Sequence, residues 1–207
     1  MDPKLAACRP NRPPRIIFYG GWIPSKGIFE LLEAIRLLEQ KRTDFEVHFG
    51  GSAFSHYKRA DSQEIDKRVR ALSQALRTVR LIGHIDQSAL TGLLSTMDIG
   101  VFPSVYEEPF GMVVTEMMAA GLPVVAFAVG GPRESIVDGE TGLLVQNKNV
   151  QALARALEKL IDDEQLRLAM GERARKRVEQ YFTWDRHVDQ LLEIYEQIIK
   201  RNRDRKR

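Results

Sequence analysis

Ile16-Ile17-Phe18-Tyr19 is an unbroken apolar run that stops at Gly20-Gly21, and the residues after it change period. From Gly27 to Lys41 the spacing is helical, with Phe29, Leu32, Ile35 and Leu38 on one side. The pattern then repeats. Residues 45–49 read as a strand closed by Gly50-Gly51, residues 63–77 as a charged amphipathic helix, and residues 79–82 as a short strand stopped by Gly83. Asp86 or Ser88 can cap a helix running to about Thr96, because a side-chain oxygen accepts an orphan N–H there. Residues 98–102 form the next strand, 111–120 a helix ended by Gly121, and 123–126 and 142–145 two more strands. Three helical patterns close the chain: 150–162, 164–181, and one from Trp184 to near the end. Runs that are apolar at every position suit strands covered on both faces. Strand–helix alternation with right-handed crossovers predicts an α/β fold. The expected form is a Rossmann-like, doubly wound parallel sheet of about six strands with helices on both faces, plus C-terminal helices.

The 207 residues suffice for one domain with appended helices. Residues 1–14, rich in Pro and Arg without apolar period, read as a linker or edge segment. Residues 15–182 read as the Rossmann-like domain, and 183–207 as a C-terminal helix with a basic tail. The apolar runs are too short to cross a bilayer, and the N-terminus lacks a signal-peptide core. A lone cysteine, Cys8, forms no internal disulfide, and no Cys/His set has metal-ligand spacing. A cytoplasmic location is the default expectation. Much of the net charge of +3 sits in residues 200–207. A solvated helix end is the plain reading of that tail. An anionic membrane surface, peripheral to the inner face, is the sharper one. No nucleic-acid motif accompanies the tail.

In a doubly wound sheet, ligands bind where the strands end. That directs attention to loops 20–26, 50–57, 83–86, 103–110 and 127–132. The strongest signal is Glu107-Glu108-Pro109-Phe110-Gly111-Met112-Val113-Val114-Thr115-Glu116, between a strand and a helix. Glu108 falls in the loop and Glu116 within the helix. Each carboxylate can accept hydrogen bonds from paired hydroxyls, as on a sugar ring or a ribose. Phe110 and Gly111 would present backbone N–H groups at a helix N-terminus, where anions are favoured. Plainer readings stand beside these. Glu116 could be a surface acid, Glu108 a helix-capping carboxylate, and Lys26 a solvated cation. Glu107 reads as a neighbour without a role. The glycines at 20, 21, 50, 83 and 111 could simply permit turns. Trp22 and Phe54 either stack on a base or pack. The four histidines, at 48, 56, 84 and 187, form no visible metal set, and His84 suits a turn as well as a ligand contact.

The run 106–121, continuing into Pro123-Val124-Val125-Ala126, resembles the donor-site motif of the retaining GT-B glycosyltransferases of the glycosyl transferase group 1 family. Pro24-Ser25-Lys26-Gly27 is similar to that family's P-x-K-G loop. Val129-Gly130-Gly131-Pro132-Arg133-Glu134 and Asp138-Gly139-Glu140-Thr141-Gly142-Leu143-Leu144-Val145 match its G-G-x-x-E and D-G-x-x-G-x-L-V pair. Phe182-Thr183-Trp184-Asp185-Arg186 resembles the start of its terminal helix. The likeness covers roughly residues 15–200.

The resemblance implies roles. Glu108 would contact the transferred sugar, Glu116 the ribose hydroxyls, and Lys26 the donor diphosphate. Glu108 and Lys26 would be the catalytic residues. Gly20 and Gly21, and the backbone of Phe110, Gly111, Met112 and Val113, would surround sugar and phosphate, while Ile82 and Gly83 would grip the base. No essential metal and no cofactor beyond the nucleoside-diphosphate sugar is implied. The resemblance also implies a partner, an N-terminal acceptor-binding domain in cis or in trans. Without it, the terminal helix would expose an apolar stripe suited to self-association.

Two positions depart from the family pattern. Gly21 stands where an arginine is usual, and Gly50-Gly51-Ser52 replaces Gly-Asp-Gly. Arg15, Arg80 or Arg133 are the candidates to compensate for the arginine. Rival readings are a non-catalytic nucleotide-sugar-binding or scaffolding module, and a GT-B relative such as a sugar-nucleotide epimerase or a phosphorylase. A dehydrogenase is disfavoured, because Gly20-Gly21-Trp22-Ile23-Pro24 lacks the G-x-G-x-x-G fingerprint.

Overall fold

The structure is a computed structural model that describes residues 12–53 and 61–204, with side chains to residue 202. Six strands form one sheet: β1 (Arg15–Tyr19), β2 (Glu46–Gly50), β3 (Val79–Gly83), β4 (Ile99–Phe102), β5 (Val124–Phe127) and β6 (Gly142–Val145). Their spatial order is β3-β2-β1-β4-β5-β6, and every neighbouring pair is parallel. Ile16 of β1 stands opposite Val47 on one side and Ile99 on the other. The expected six-stranded parallel architecture is present.

Side chains alternate across the sheet and build two cores. Ile16, Phe18, Val47, Phe49, Ile99, Val101, Val125 and Phe127 point to one face. There they meet α1 (Ile28–Glu39), α2 (Ser62–Gln74) and α6 (Val150–Asp162). Ile17, Phe102, Val124 and Ala126 point to the other, against α3 (Gln87–Leu94), α4 (Met112–Ala119) and α7 (Glu164–Tyr181). Over β1, β4 and β5 both faces are covered, which is why these strands read as unbroken apolar runs. Within α1, Leu32, Ile35 and Leu38 are buried as the spacing predicts, and Phe29 is half-buried.

Boundaries fall within one or two residues of expectation for most elements, and α6 and α7 match it. A four-residue helix, α5 (Pro132–Ser135), and a 3-10 turn at Pro24–Lys26 are additional. Asp86 takes the N-cap position of α3, but its carboxylate caps nothing. It lies 3.6 Å from His84 Nε2 instead. Ser88 sits inside that helix.

The start of the described chain is tied down. Glu46 N–H donates to Pro14 O at 2.9 Å, and the Arg12 guanidinium spans both Asp98 oxygens at 2.6 and 3.0 Å. At the other end α8 (Trp184–Asp204) stands out from the sheet with its apolar residues exposed. Lys200 and Arg201 are solvated. Cys8, Phe54, His56, much of loop 50–57 and residues 205–207 lie outside the described residues.

Candidate functional site

β1 neighbours β2 on one side and β4 on the other, so the crossovers leaving β1 and β3 run in opposite directions. A crevice opens at such a switch point, at the C-terminal ends of β1 and β4. The loops that follow these two strands, 20–27 and 103–111, are joined across it. Val105 N–H donates to Ser25 O at 3.0 Å, and Ser104 Oγ lies 3.2 Å from the same carbonyl oxygen. Gly27 has φ +69°, and a Cβ there would collide with Pro103 O. Glycine therefore lets the two loops touch. Pro24 starts the 3-10 turn, with its φ preset, and the turn delivers Lys26 into the crevice.

Lys26 Nζ donates to Glu108 Oε1 at 2.5 Å, and Ser104 Oγ donates to the same oxygen at 2.8 Å. Glu108's side chain is 11% exposed and Lys26's is 32% exposed, so the pair is partly shielded yet reachable. The main chain of Glu108 is held from the opposite side. Gly131 N–H donates to Glu108 O at 2.7 Å. Gly130 N–H donates to Glu107 Oε2 at 2.6 Å. A Cβ at Gly130 would strike Glu108's backbone. Glu107 thus has a job that the sequence reading did not assign: it clips the loop after β5 to the loop after β4. Nothing local signals it, because the partners lie 23 residues apart.

Gly111, in a left-handed conformation, is the N-cap of α4, and no side chain caps that end. A helix leaves its first N–H groups without intrahelical partners and carries partial positive charge there. The backbone of Phe110, Gly111, Met112 and Val113 is therefore suited to an anion. The Phe110 ring turns away from this task. It lies edge-on to Phe182, with centroids 5.7 Å apart.

Glu116 lies in the second turn of α4. The Tyr19 hydroxyl, at the end of β1, donates to Glu116 Oε2 at 2.7 Å. Burial, reinforced by the carboxylate it bonds, pushes the Tyr19 phenol far above its ordinary value. Tyr19 is a second residue the sequence reading missed, since it read only as the last apolar position of a strand.

Gly20, Gly21, Ile82 and Gly83 stand at the ends of β1 and β3, on the same edge as Glu108 and Glu116. Ile82 is 36% exposed. Trp22 is 1% exposed, and its Nε1 donates to Gly50 O at 3.2 Å, so it packs and does not stack on a base. Of the three arginines considered in place of one at position 21, Arg15 pairs with Glu46 at the start of β1, and Arg80 donates to Arg77 O. Both point to the wrong end of the sheet. Only Arg133 stands on the ligand-facing edge, with Nε donating to Ala128 O at 2.6 Å. His48 contacts Glu46 at 3.3 Å. Among the described residues no group of three His, Cys, Asp or Glu gathers as metal ligands. No described helix is long and apolar enough to cross a membrane.

Fold and site together define an α/β domain that places cationic and helix-terminal groups beside two carboxylates at a sheet switch point. The family model for glycosyl transferases group 1 matches residues 7–177, and the chain belongs to that family. It is 31% identical over 192 residues to a glycogen synthase of Mycobacterium tuberculosis, covering 92% of this chain and 44% of that protein. The C-terminal domain of a glycosyl transferase group 1 family protein from Francisella tularensis superposes with a TM-score of 0.69. It is 28% identical, covering 84% of this chain and 89% of that one. Anabaena HepE in complex with UDP-glucose superposes with a TM-score of 0.77 at 25% identity, covering 89% of this chain and 49% of that one. The chain thus spans about half the length of full-length relatives. Its family and its likeness to such a C-terminal domain agree with what its sequence motifs implied.

Proposed function

We propose that this domain holds the donor of a retaining glycosyltransferase, a nucleoside-diphosphate sugar whose glycosyl group passes to an acceptor hydroxyl. The observation that carries the reading is the Lys26–Glu108 pair. It ties a cation to a carboxylate in the loop that runs into the uncapped N-terminus of α4. Lys26 moves from Glu108 to the diphosphate when the donor arrives. Together with the N–H groups of residues 110–113 it stabilises the charge that develops on the leaving phosphate. Glu108, released on that side but still held by Ser104, accepts hydroxyls of the transferred sugar. Glu116 accepts the ribose hydroxyls, and Ile82 and Gly83 face the base. Lys26 and the helix amides supply the positive charge, and the reading needs no metal. Front-face attack, with the departing phosphate as base, preserves the anomeric configuration. The UDP-glucose in the Anabaena relative supports a donor of this class.

The acceptor site comes from a second, N-terminal domain, and α8 is the surface that meets it or a second copy of this chain. The alternative, a non-catalytic nucleotide-sugar-binding or scaffolding module, is favoured by one specific feature, Gly21 in place of a bidentate phosphate clamp. Calorimetric titration with UDP, GDP, ADP and the matched sugar nucleotides tests for the donor site, which a pure scaffold lacks. The expected outcome is selective binding of one base, weakened about tenfold or more by Glu116→Ala and by Lys26→Ala. A folded chain that binds none of them rules out the donor site.

A further inference from the structure

The two carboxylates of the site are restrained by different chemistry. Glu108 is held by a charged lysine on a turn, which a diphosphate can draw away. Glu116 is held by a neutral phenol at the end of a strand, and a diphosphate has no means of displacing it.

Tyr19 closes β1, whose register with β2 continues through the pair Tyr19–Gly50. By the alternation of the strand its ring lies on the face of Ile17, packed against the core that contains α4. The hydroxyl reaches Val113 O at 3.4 Å as well as Glu116 Oε2 at 2.7 Å. Residues 113 and 116 are three apart and share a helix face, so the phenol sits over one turn of α4. A phenol has two rotatable side-chain torsions, and here burial and pairing restrict both. A glutamate has three. A donor fixed at 2.7 Å on Oε2 selects one of its many rotamers. Among the described residues the Tyr19 phenol is the side-chain donor that Glu116 meets. A carboxylate offers about four acceptor positions, so one bond on Oε2 leaves Oε1 to receive a vicinal diol.

We infer that Tyr19 is a positioning residue that presets Glu116 for ribose and thereby sets how strongly the site prefers ribonucleoside over 2′-deoxyribonucleoside diphosphates. The inference rests on the donor-site reading, with Glu116 as the ribose acceptor. Pre-orienting the carboxylate removes the ordering of a long side chain from the binding step. The gain is felt only by a ligand that offers both hydroxyls.

The test is calorimetric titration of the whole chain with UDP, GDP and ADP. The tightest of these is then compared with its 2′-deoxy counterpart on wild type, Tyr19→Phe, Glu116→Ala and the double variant. Tyr19→Phe keeps the ring and its packing, and a thermal melt close to wild type confirms that the fold is intact. The expected result is a loss of about tenfold in affinity for the ribonucleotide, with the deoxynucleotide changed by no more than about twofold. In the Glu116→Ala background the same substitution has no further effect, because the phenol acts through that carboxylate. An unchanged or increased ribose preference in Tyr19→Phe overturns the inference and leaves the donor site standing. So does an equal loss for both nucleotides, or a loss that persists without Glu116. A wild type that binds no nucleotide overturns the donor-site reading itself, and one that binds ribo and deoxy forms alike overturns Glu116 as the ribose acceptor; either removes the role of Tyr19 with it. That failure is visible before any variant is made.

Discussion

Helices α1 and α8 carry apolar side chains at comparable spacing and meet opposite fates. In α1, Leu31, Leu32, Ile35 and Leu38 are between 0 and 3% exposed. In α8, Leu192, Ile194, Tyr195, Ile198 and Ile199 are between 49 and 56% exposed, and Trp184 is 80% exposed. Helix α1 lies on the sheet beside α6, and at its N-terminus Gly27 brings it against the loop after β4. Helix α8 leaves the sheet after Phe182. The amphipathic period of a helix therefore reports that a face wants cover, and not whether the same chain supplies it. The difference also separates two kinds of apolar residue. Those carried by α1 are fixed by the core, while the apolar stripe of α8 is left exposed.

The comparison can be broken most directly in the core. Ile35→Ala is expected to lower unfolding free energy by about 3 kcal/mol, from lost transfer and the cavity left behind. Urea denaturation measures it, and a loss under about 1 kcal/mol would show that α1 is not the anchored member of the pair. Gly27→Ala is next, with an expected loss of about 2 kcal/mol from the positive φ and the collision with Pro103 O. It displaces Lys26 as well, so nucleotide affinity should fall with stability. A variant that melts like wild type would remove the claim that glycine is needed for the turn to touch the β4 loop. Ile198→Glu should be the mildest, within about 0.5 kcal/mol by the same denaturation experiment, because its surroundings are solvent. In sedimentation velocity at high concentration the wild type is expected to self-associate and Ile198→Glu to stay monomeric. A large stability loss at Ile198 would mean that α8 is covered within the monomer and that the contrast with α1 is false.

Much of the fold was legible in the sequence. Six strand-like segments, several of them unbroken apolar runs, with helical spacing between them, point to a parallel sheet covered on both faces, because only buried strands tolerate apolar residues at successive positions. The candidate site was legible where its residues form one continuous motif, as in Glu108 to Glu116, or sit beside a glycine turn, as Lys26 does. It was illegible where the partner is distant in sequence. Glu107 looked idle until the fold brought Gly130 to it, and Tyr19 looked like one more strand residue until α4 crossed its end. Trp22, which read equally well as a stacking or a packing residue, was settled by a single carbonyl, Gly50 O.

By itself the sequence determined the element types and their order, the family, and the edge of the sheet where chemistry belongs. Those depend on local periodicity, turn chemistry and one contiguous motif, all of which are written along the chain. Only the tertiary structure decided that Lys26 meets Glu108, that Tyr19 holds Glu116, and that α8 is left uncovered. Each depends on distances between residues remote in sequence, set by the packing of helices on a twisted sheet and carried by no local pattern.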